Sequence, residues 1–348
     1  MTGSIDLLNV GDGDAIIVSL NKDDETLIMV IDGGQKRYYQ EKLRPKLQEL
    51  LEEHGKLAPD IVVVTHYDSD HIAGLIPLVE EYIDNIQEVW VHRSPELLIT
   101  EAKSLMESKQ LRNISTFEEV GLVNEVAKFI SPEDRDKIEE KSNFIIESLG
   151  QLEEFLSYVP NDKIMHVYSG YSYAGWPEIN VLGPTEEYYN ELFPAYKSLA
   201  ELIADEIIND NEHEVRRVFE GIEEQDPCQR LKTDQSVKLT STNKASIIIS
   251  IDNSNKRFLF TGDAGIDSFK AIPNWETELA ELHWLKIPHH GSDNNISREI
   301  IDIMQPKYAD SSGSRHQDDH VLGCISKNPH SKRNCRSTKS DGDITMAI

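Results

Sequence analysis

Apolar and polar positions follow two different periods along this chain. Short β-branched runs broken by Gly and Asp clusters at residues 5–10, 15–20 and 26–31 predict strands joined by turns. Residues 40–54 have helical spacing and stop at Gly55, which predicts a helix with a glycine end. The apolar run 60–64 is too short for a helix and predicts a buried strand. A helix at 72–83 and a strand at 88–92 follow. From 95 to 160 charged residues alternate with Leu, Ile and Phe at helical spacing, most clearly at 136–158. Strand patterns return at 164–168 and 179–182, then a second helical stretch covers 185–235. Two β-rich runs, 245–251 and 256–261, flank D-N-S-N and predict a hairpin. A strand at 283–287, a helix at 296–304 and a strand at 307–310 complete the pattern. Strands at both ends with helices between them predict an α/β sandwich. It forms one domain over 1–348, with helical insertions at 95–160 and 185–235.

Composition narrows the class. The 348 residues include 62 acidic and 35 basic ones, a formal charge of −27, with 39% hydrophobic residues. That balance predicts an ordered globular chain and disfavours one that coats nucleic acid or anionic membrane over its whole surface. No apolar run reaches the roughly 18–20 residues that span a bilayer, and the first residues do not read as a secretory signal. Cys228, Cys324 and Cys335 form an odd set without a C-x-x-C pair. They predict three unpaired thiols in a reducing, cytoplasmic setting. The insertion at 185–235 holds 14 acidic and 5 basic residues, a net of −9, whereas residues 286–348 come to +1.

Candidate chemistry concentrates at strand ends. T-H-Y-D-S-D-H-I-A-G, residues 65–74, offers His66, Asp68, Asp70 and His71 within seven positions. A loop after a buried strand can aim such residues at one point, and imidazole with carboxylate suits Zn²⁺, Mn²⁺ or Fe. F-L-F-T-G-D-A-G sets Asp263 at the end of an apolar strand, where a carboxylate can bridge two cations. L-K-I-P-H-H-G-S sets His289 and His290 after another strand, one suited to a metal and the other to substrate.

In this order the motifs resemble those of a metallo-β-lactamase-fold hydrolase, closest to the hydrolase domain of the competence-protein (ComEC-like) branch. V-G-D-G-D at 10–14, I-D-G-G at 31–34, T-H-Y-D-S-D-H-I-A-G, Asn243 and Ser246 of T-N-K-A-S, L-F-T-G-D, I-P-H-H-G-S and the tail T-K-S-D-G-D-I-T all have counterparts there. His320, seven residues after Gly313, stands where that branch has Gly-His-Pro. The resemblance covers about residues 3–93, 164–184 and 236–348. It implies an αββα sandwich with two divalent ions, Zn or Mn. His66 and Asp68 would hold one ion, Asp70, His71 and His289 or His290 the other, with Asp263 between them. Asp14 and Asp32 would orient ligands. Asp68 and Asn243 put oxygen where many superfamily members have nitrogen, which favours Mn²⁺.

The implied reaction is attack of a metal-bridged hydroxide on a phosphodiester, with Asp70 at the reacting centre and His320 or His290 as proton donor. DNA is the substrate the branch suggests, and the basic run 327–336 could follow a phosphate backbone. The alternatives are a small or cyclic-nucleotide phosphodiester, and an effector or adaptor whose acidic helices shield the site and dock a protein partner.

Overall fold

Apolar residues at successive strand positions face opposite ways, and here both faces are covered. Ile16 and Val18 point between two sheets while Ala15 and Ile17 point outward at helices; Phe258 and Phe260 divide from Leu259 in the same way. This explains why the strands read as continuous apolar runs. The computed structural model describes residues 1–112, 121–218, 226–229, 231, 239–313 and 316–348, with only the backbone at 108–112 and 209–218. The strands are β1 (Thr2–Leu7), β2 (Ala15–Lys22), β3 (Glu25–Gly33), β4 (Ile61–Val63), β5 (Glu88–Trp90), β6 (Ile164–Met165), β7 (Ser172–Tyr173), β8 (Trp176–Gly183), β9 (Ile248–Asn253), β10 (Lys256–Phe260), β11 (Trp284–Lys286), β12 (Tyr308–Ser311), β13 (Arg336–Ser337) and β14 (Ile344–Ala347). One seven-stranded sheet runs β14-β1-β2-β3-β4-β5-β6 and the other β13-β12-β11-β10-β9-β8-β7. Helices cover both outer faces, so the layers are αββα, as the resemblance implies.

The centre of each sheet decides where the chemistry goes. β3, β4 and β5 pair parallel, as do β10, β11 and β12. Their C-terminal ends therefore share one edge of the sandwich, and the loops leaving them carry His66, Asp263, His289, His290 and Ser312. The helices Ile138–Tyr158 and Leu199–Val218 pack on the outer face of the first sheet through Ile145, Leu149, Leu202 and Ile203.

Some elements differ from the sequence reading. The helix expected at 72–83 is broken into Ser69–Ile72 and Leu75–Tyr82. A Cβ on the intervening Gly74 would lie 1.9 Å from Gly33 O, so the chain passes too close to β3 for a continuous helix with side chains. The tail T-K-S-D forms a helical turn, Thr338–Asp341, between β13 and β14. The helix Asp319–Lys327 was not anticipated. Three unpaired thiols were expected, but Cys228 and Cys324 form a disulfide, 96 residues apart in sequence, and Cys335 alone is free. The turn Pro227–Gln229 packs on the helix Asp319–Lys327, a proximity that residue spacing does not reveal. Part of the acidic run 223–230 lies outside the described residues. Among the described residues no helix is long and apolar enough to cross a membrane.

Candidate metal centre

Four imidazoles converge on one carboxylate oxygen. Oδ2 of Asp263 lies 3.3 Å from His71 Nε2, 3.7 Å from His289 Nε2, 3.8 Å from His290 Nε2 and 3.9 Å from His66 Nε2. All five side chains are buried. Each ring reaches this point because its other nitrogen is held from behind. His71 Nδ1 donates to Asp32 Oδ2 at 2.8 Å. Thr65 gives its hydroxyl proton to Asp32, so it can only accept from His66 Nδ1, 3.1 Å away. His289 Nδ1 donates to Asn295 Oδ1 at 2.8 Å, while the Asn295 amide donates to the Asp263 carbonyl. Ser312 gives its hydroxyl proton to Asp14 and accepts from His290 Nδ1 at 3.4 Å.

In each ring the Nδ1–H is therefore fixed from behind, and Nε2, turned toward a carboxylate, is left to take a metal ion or, without one, a proton. A positive charge, proton or metal ion, therefore belongs between these nitrogens and the carboxylate. The Nε2 atoms of His66 and His71, with Asp68 Oδ1 and Asp263 Oδ1, are buried without hydrogen-bond partners. This donor set fits divalent metal ions, and the backing hydrogen bonds are those that orient metal-bound imidazole. His66, His71 and Asp263 place ligand atoms within 4.8 Å of one another, and so do Asp70, His71 and His290. Asp68 Oδ2 lies 3.5 Å from His66 Nε2.

The backbone makes this crowding feasible. His289 and His290 have φ of 44° and 59°, so neighbouring side chains both turn inward where an extended strand would split them to opposite faces. Gly13 has φ of 98°, and a Cβ there would stand 1.9 Å from Asp70 O. A Cβ on Gly313 would stand 2.6 Å from His290 Nδ1. Both glycines let a loop close onto a ligand.

Charge is tightly balanced. Burial raises Asp263, but His71, His289 and His290 outweigh it and hold the carboxyl well below its usual range. Burial lowers His71, but Asp263 and Asp32 hold it well above its usual value. Asp70 is held low, against burial, chiefly by its hydrogen bond to His290. Asp14 is held low, against burial, by Lys286 first. Lys286 carried no signal in the sequence reading, because a lysine at a strand end reads as a solvated charge. It is fully buried and pairs with Asp14.

Above the imidazoles lies a cavity of about 330 Å³. Asp68, Asp70, Asn243, Asp263 and His289 line its floor, and Glu140, Phe144 and Glu147 of the helix Ile138–Tyr158 line its wall with Glu206 of Leu199–Val218. The acidic helical stretches thus border the site.

The structure defines the surroundings of two expected features. His320 lies against Asp293, its Nε2 3.3 Å from Oδ2, and is not among the cavity-lining residues. The imidazole that lines the cavity from this segment is His316, with its ring centroid 5.0 Å from that of His289. Gly313 ends a strand loop and His316 follows it at φ of 62° in a short turn, whereas His320 has entered the next helix. Within the basic run 327–336, Arg333 and Arg336 both bond to buried Asp310.

His92 lies in a small hollow beside His66 and Tyr67, stacked on Tyr168 with centroids 4.9 Å apart. Burial pushes it down to about 4, although its Nε2 donates to Val167 O. The unfolded chain therefore binds the extra proton first as pH falls below the ordinary histidine value. Folding stability is expected to drop between pH ~6.5 and ~4 by about 3 kcal/mol from this residue alone. Urea midpoints across that window check this: His92→Gln should flatten the wild-type slope, and an unchanged slope would assign the acid lability elsewhere.

Residues 8–145 match the sequence profile of the metallo-beta-lactamase superfamily. That stretch contains Asp14, Asp32 and the 65–74 loop, while Asp263, His289 and His290 lie beyond it. No curated protein matches the chain. Among solved structures, a diphosphatase from the PhnP family aligns over 100% of this chain and 98% of its own, at 10% identity and a TM-score of 0.39. The metallo-beta-lactamase fold protein YhfI from Bacillus subtilis aligns over 99% and 100%, at 9% identity and 0.40. Zn(2+)-bound PqqB from Methylobacterium extorquens aligns over 83% and 73%, at 11% identity and 0.33.

Proposed function

From the metallo-β-lactamase superfamily match of residues 8–145, we propose that this chain is a metal-dependent hydrolase of phosphodiesters. The observation that carries the reading is the set of four outward-backed imidazoles around Asp263 Oδ2. His66 and Asp68 would hold one divalent ion, with the unpartnered Asn243 Oδ1 facing the same cavity. Asp70, His71 and His290 would hold a second, and Asp263 would serve both. Ions bound there lower the pKa of a water and neutralise charge on phosphoryl oxygens. The oxygen-rich first set favours Mn²⁺ over Zn²⁺.

The protein's own groups complete the chemistry. Asp32, Thr65, Asn295 and Ser312 keep each ring in its ligating tautomer. The helices bordering the cavity limit access of bulk water. His316, beside His289 at the cavity wall, is placed to protonate a leaving alkoxide. His316→Ala is expected to lower kcat by about 10²-fold on an alkyl ester and much less on a p-nitrophenyl ester, whose leaving group needs no proton. His320→Ala should leave both rates within a few-fold. Equal losses on the two esters would remove His316 as the acid.

The cavity also bears on the substrate. About 330 Å³ suits a small ligand, and Glu140, Glu147 and Glu206 outnumber Lys141 on a wall that disfavours a polyanion. The immediate substrate on this reading is a small phosphodiester such as a cyclic nucleotide, with a single DNA strand, the polymer suggested by the motifs, entering by one end. The test is hydrolysis of bis(p-nitrophenyl) phosphate, a cyclic dinucleotide, single-stranded DNA and duplex DNA with Mn²⁺ or Zn²⁺. Cleavage of the small esters with little salt dependence is expected, since only a polymer releases many counterions. Salt-sensitive cleavage confined to DNA would establish a nuclease. No cleavage of any ester by metal-loaded protein would sink the phosphodiesterase reading.

A further inference from the structure

Resting on the metal-centre reading, we infer that Lys286 is a positioning residue that supplies a fixed part of the positive charge the site requires. Its side chain is fully buried at the end of β11. The Nζ pairs with Asp14, donates to Gly262 O at 3.3 Å and lies 4.0 Å from Asp263 Oδ1. That Oδ1 is buried without a hydrogen-bond partner, whereas Oδ2 faces the four imidazoles. The ammonium therefore attracts one oxygen of Asp263 and leaves the other for the metals. Through Asp14 it also ties the loop before β2, in the first sheet, to the loops after β10, β11 and β12 in the second, because Asp14 accepts from Ser312 and faces His290 Nδ1 at 3.6 Å.

The charge count gives this pairing a consequence. In the metal-loaded site, where the four imidazoles would be neutral ligands, ionised Asp14, Asp32, Asp68, Asp70 and Asp263 carry a formal −5. Lys286 brings the cluster to −4, which two divalent ions cancel. Without Lys286 the metal-free cluster would hold one more carboxylate with no fixed counter-charge in a largely buried volume, where each unpaired charge is costly. Metal binding would relieve most of that cost. A residue that merely fills space would cost the same with and without metal.

The experiment is a thermal-unfolding cycle on the full chain, stripped with dipicolinate or loaded with Mn²⁺ or Zn²⁺. Lys286→Met keeps length and removes charge. Its metal-induced rise in Tm is expected to exceed that of the wild type by roughly 5–10 °C, because the stripped form loses most. Asp14→Asn/Lys286→Met restores the cluster to −4, and its rise should return to the wild-type value even if the single variant barely folds when stripped. Equal rises in wild type and Lys286→Met, or a double variant that keeps the enlarged rise, would overturn the role of Lys286. A wild type whose Tm does not respond to either metal would overturn the metal centre itself.

Discussion

Asp263→Asn is expected to lose hydrolytic activity by on the order of 10³-fold or more, with loss of bound metal. The asparagine keeps the shape of the side chain and removes its charge. Four imidazole nitrogens between 3.3 and 3.9 Å from Oδ2 would then surround a neutral amide. In the wild type those rings keep Asp263 ionised despite its burial, so the site is built around a negative charge at this position. On the proposed reading, the two metal sites would lose the anion they share. Several kcal/mol of transition-state stabilisation correspond to about three powers of ten in rate. Metal content after dialysis and turnover of the best ester together check the result. Full metal content with turnover within tenfold of wild type would move the reacting centre away from Asp263.

Asp310→Ala is expected to give the largest loss of stability, about 3–5 kcal/mol. The carboxylate is fully buried on β12 and accepts from Arg333, Arg336 and the indole Nε1 of Trp284, the last at 2.7 Å. Removing it strands two guanidinium groups and an indole N–H beside the core. The loss reaches the site as well, since Ser311, Ser312 and Gly313 follow directly and position His290. Arg333→Ala or Arg336→Ala alone should cost less, because the remaining arginine still pairs with the carboxylate. Urea unfolding compares the three variants, and a loss below about 1 kcal/mol for Asp310→Ala would mark these pairs as solvated and weak.

The same two aspartates mark what can be read from a sequence. Asp263 was legible because it ends an apolar strand between two glycines, in chain order with a His-x-Asp-x-Asp-His loop and a His-His pair. Such motifs are local: a buried parallel strand exposes its chemistry at its C-terminal end whatever the rest of the chain does. Strand patterns at both ends of the chain with helical patterns between them likewise predicted a layered sandwich.

Asp310 and its arginines were not legible, because the partners lie 23 and 26 residues apart and a run of basic residues reads as a solvated surface. Lys286 was missed for the same reason, since its counterion Asp14 sits in the other sheet. The choice between His316 and His320 depended on where a helix begins, which moves a side chain from the cavity wall to Asp293. The Cys228–Cys324 disulfide depended on a turn meeting a helix 96 residues later. Residue type and local period are properties of neighbouring positions, so the sequence alone determined the layers and the loops that carry the histidine and aspartate cluster. Burial and partner choice are set by contacts distant along the chain, so only the tertiary structure decided which imidazoles face one another, which charges are buried, and that acidic helices border the site.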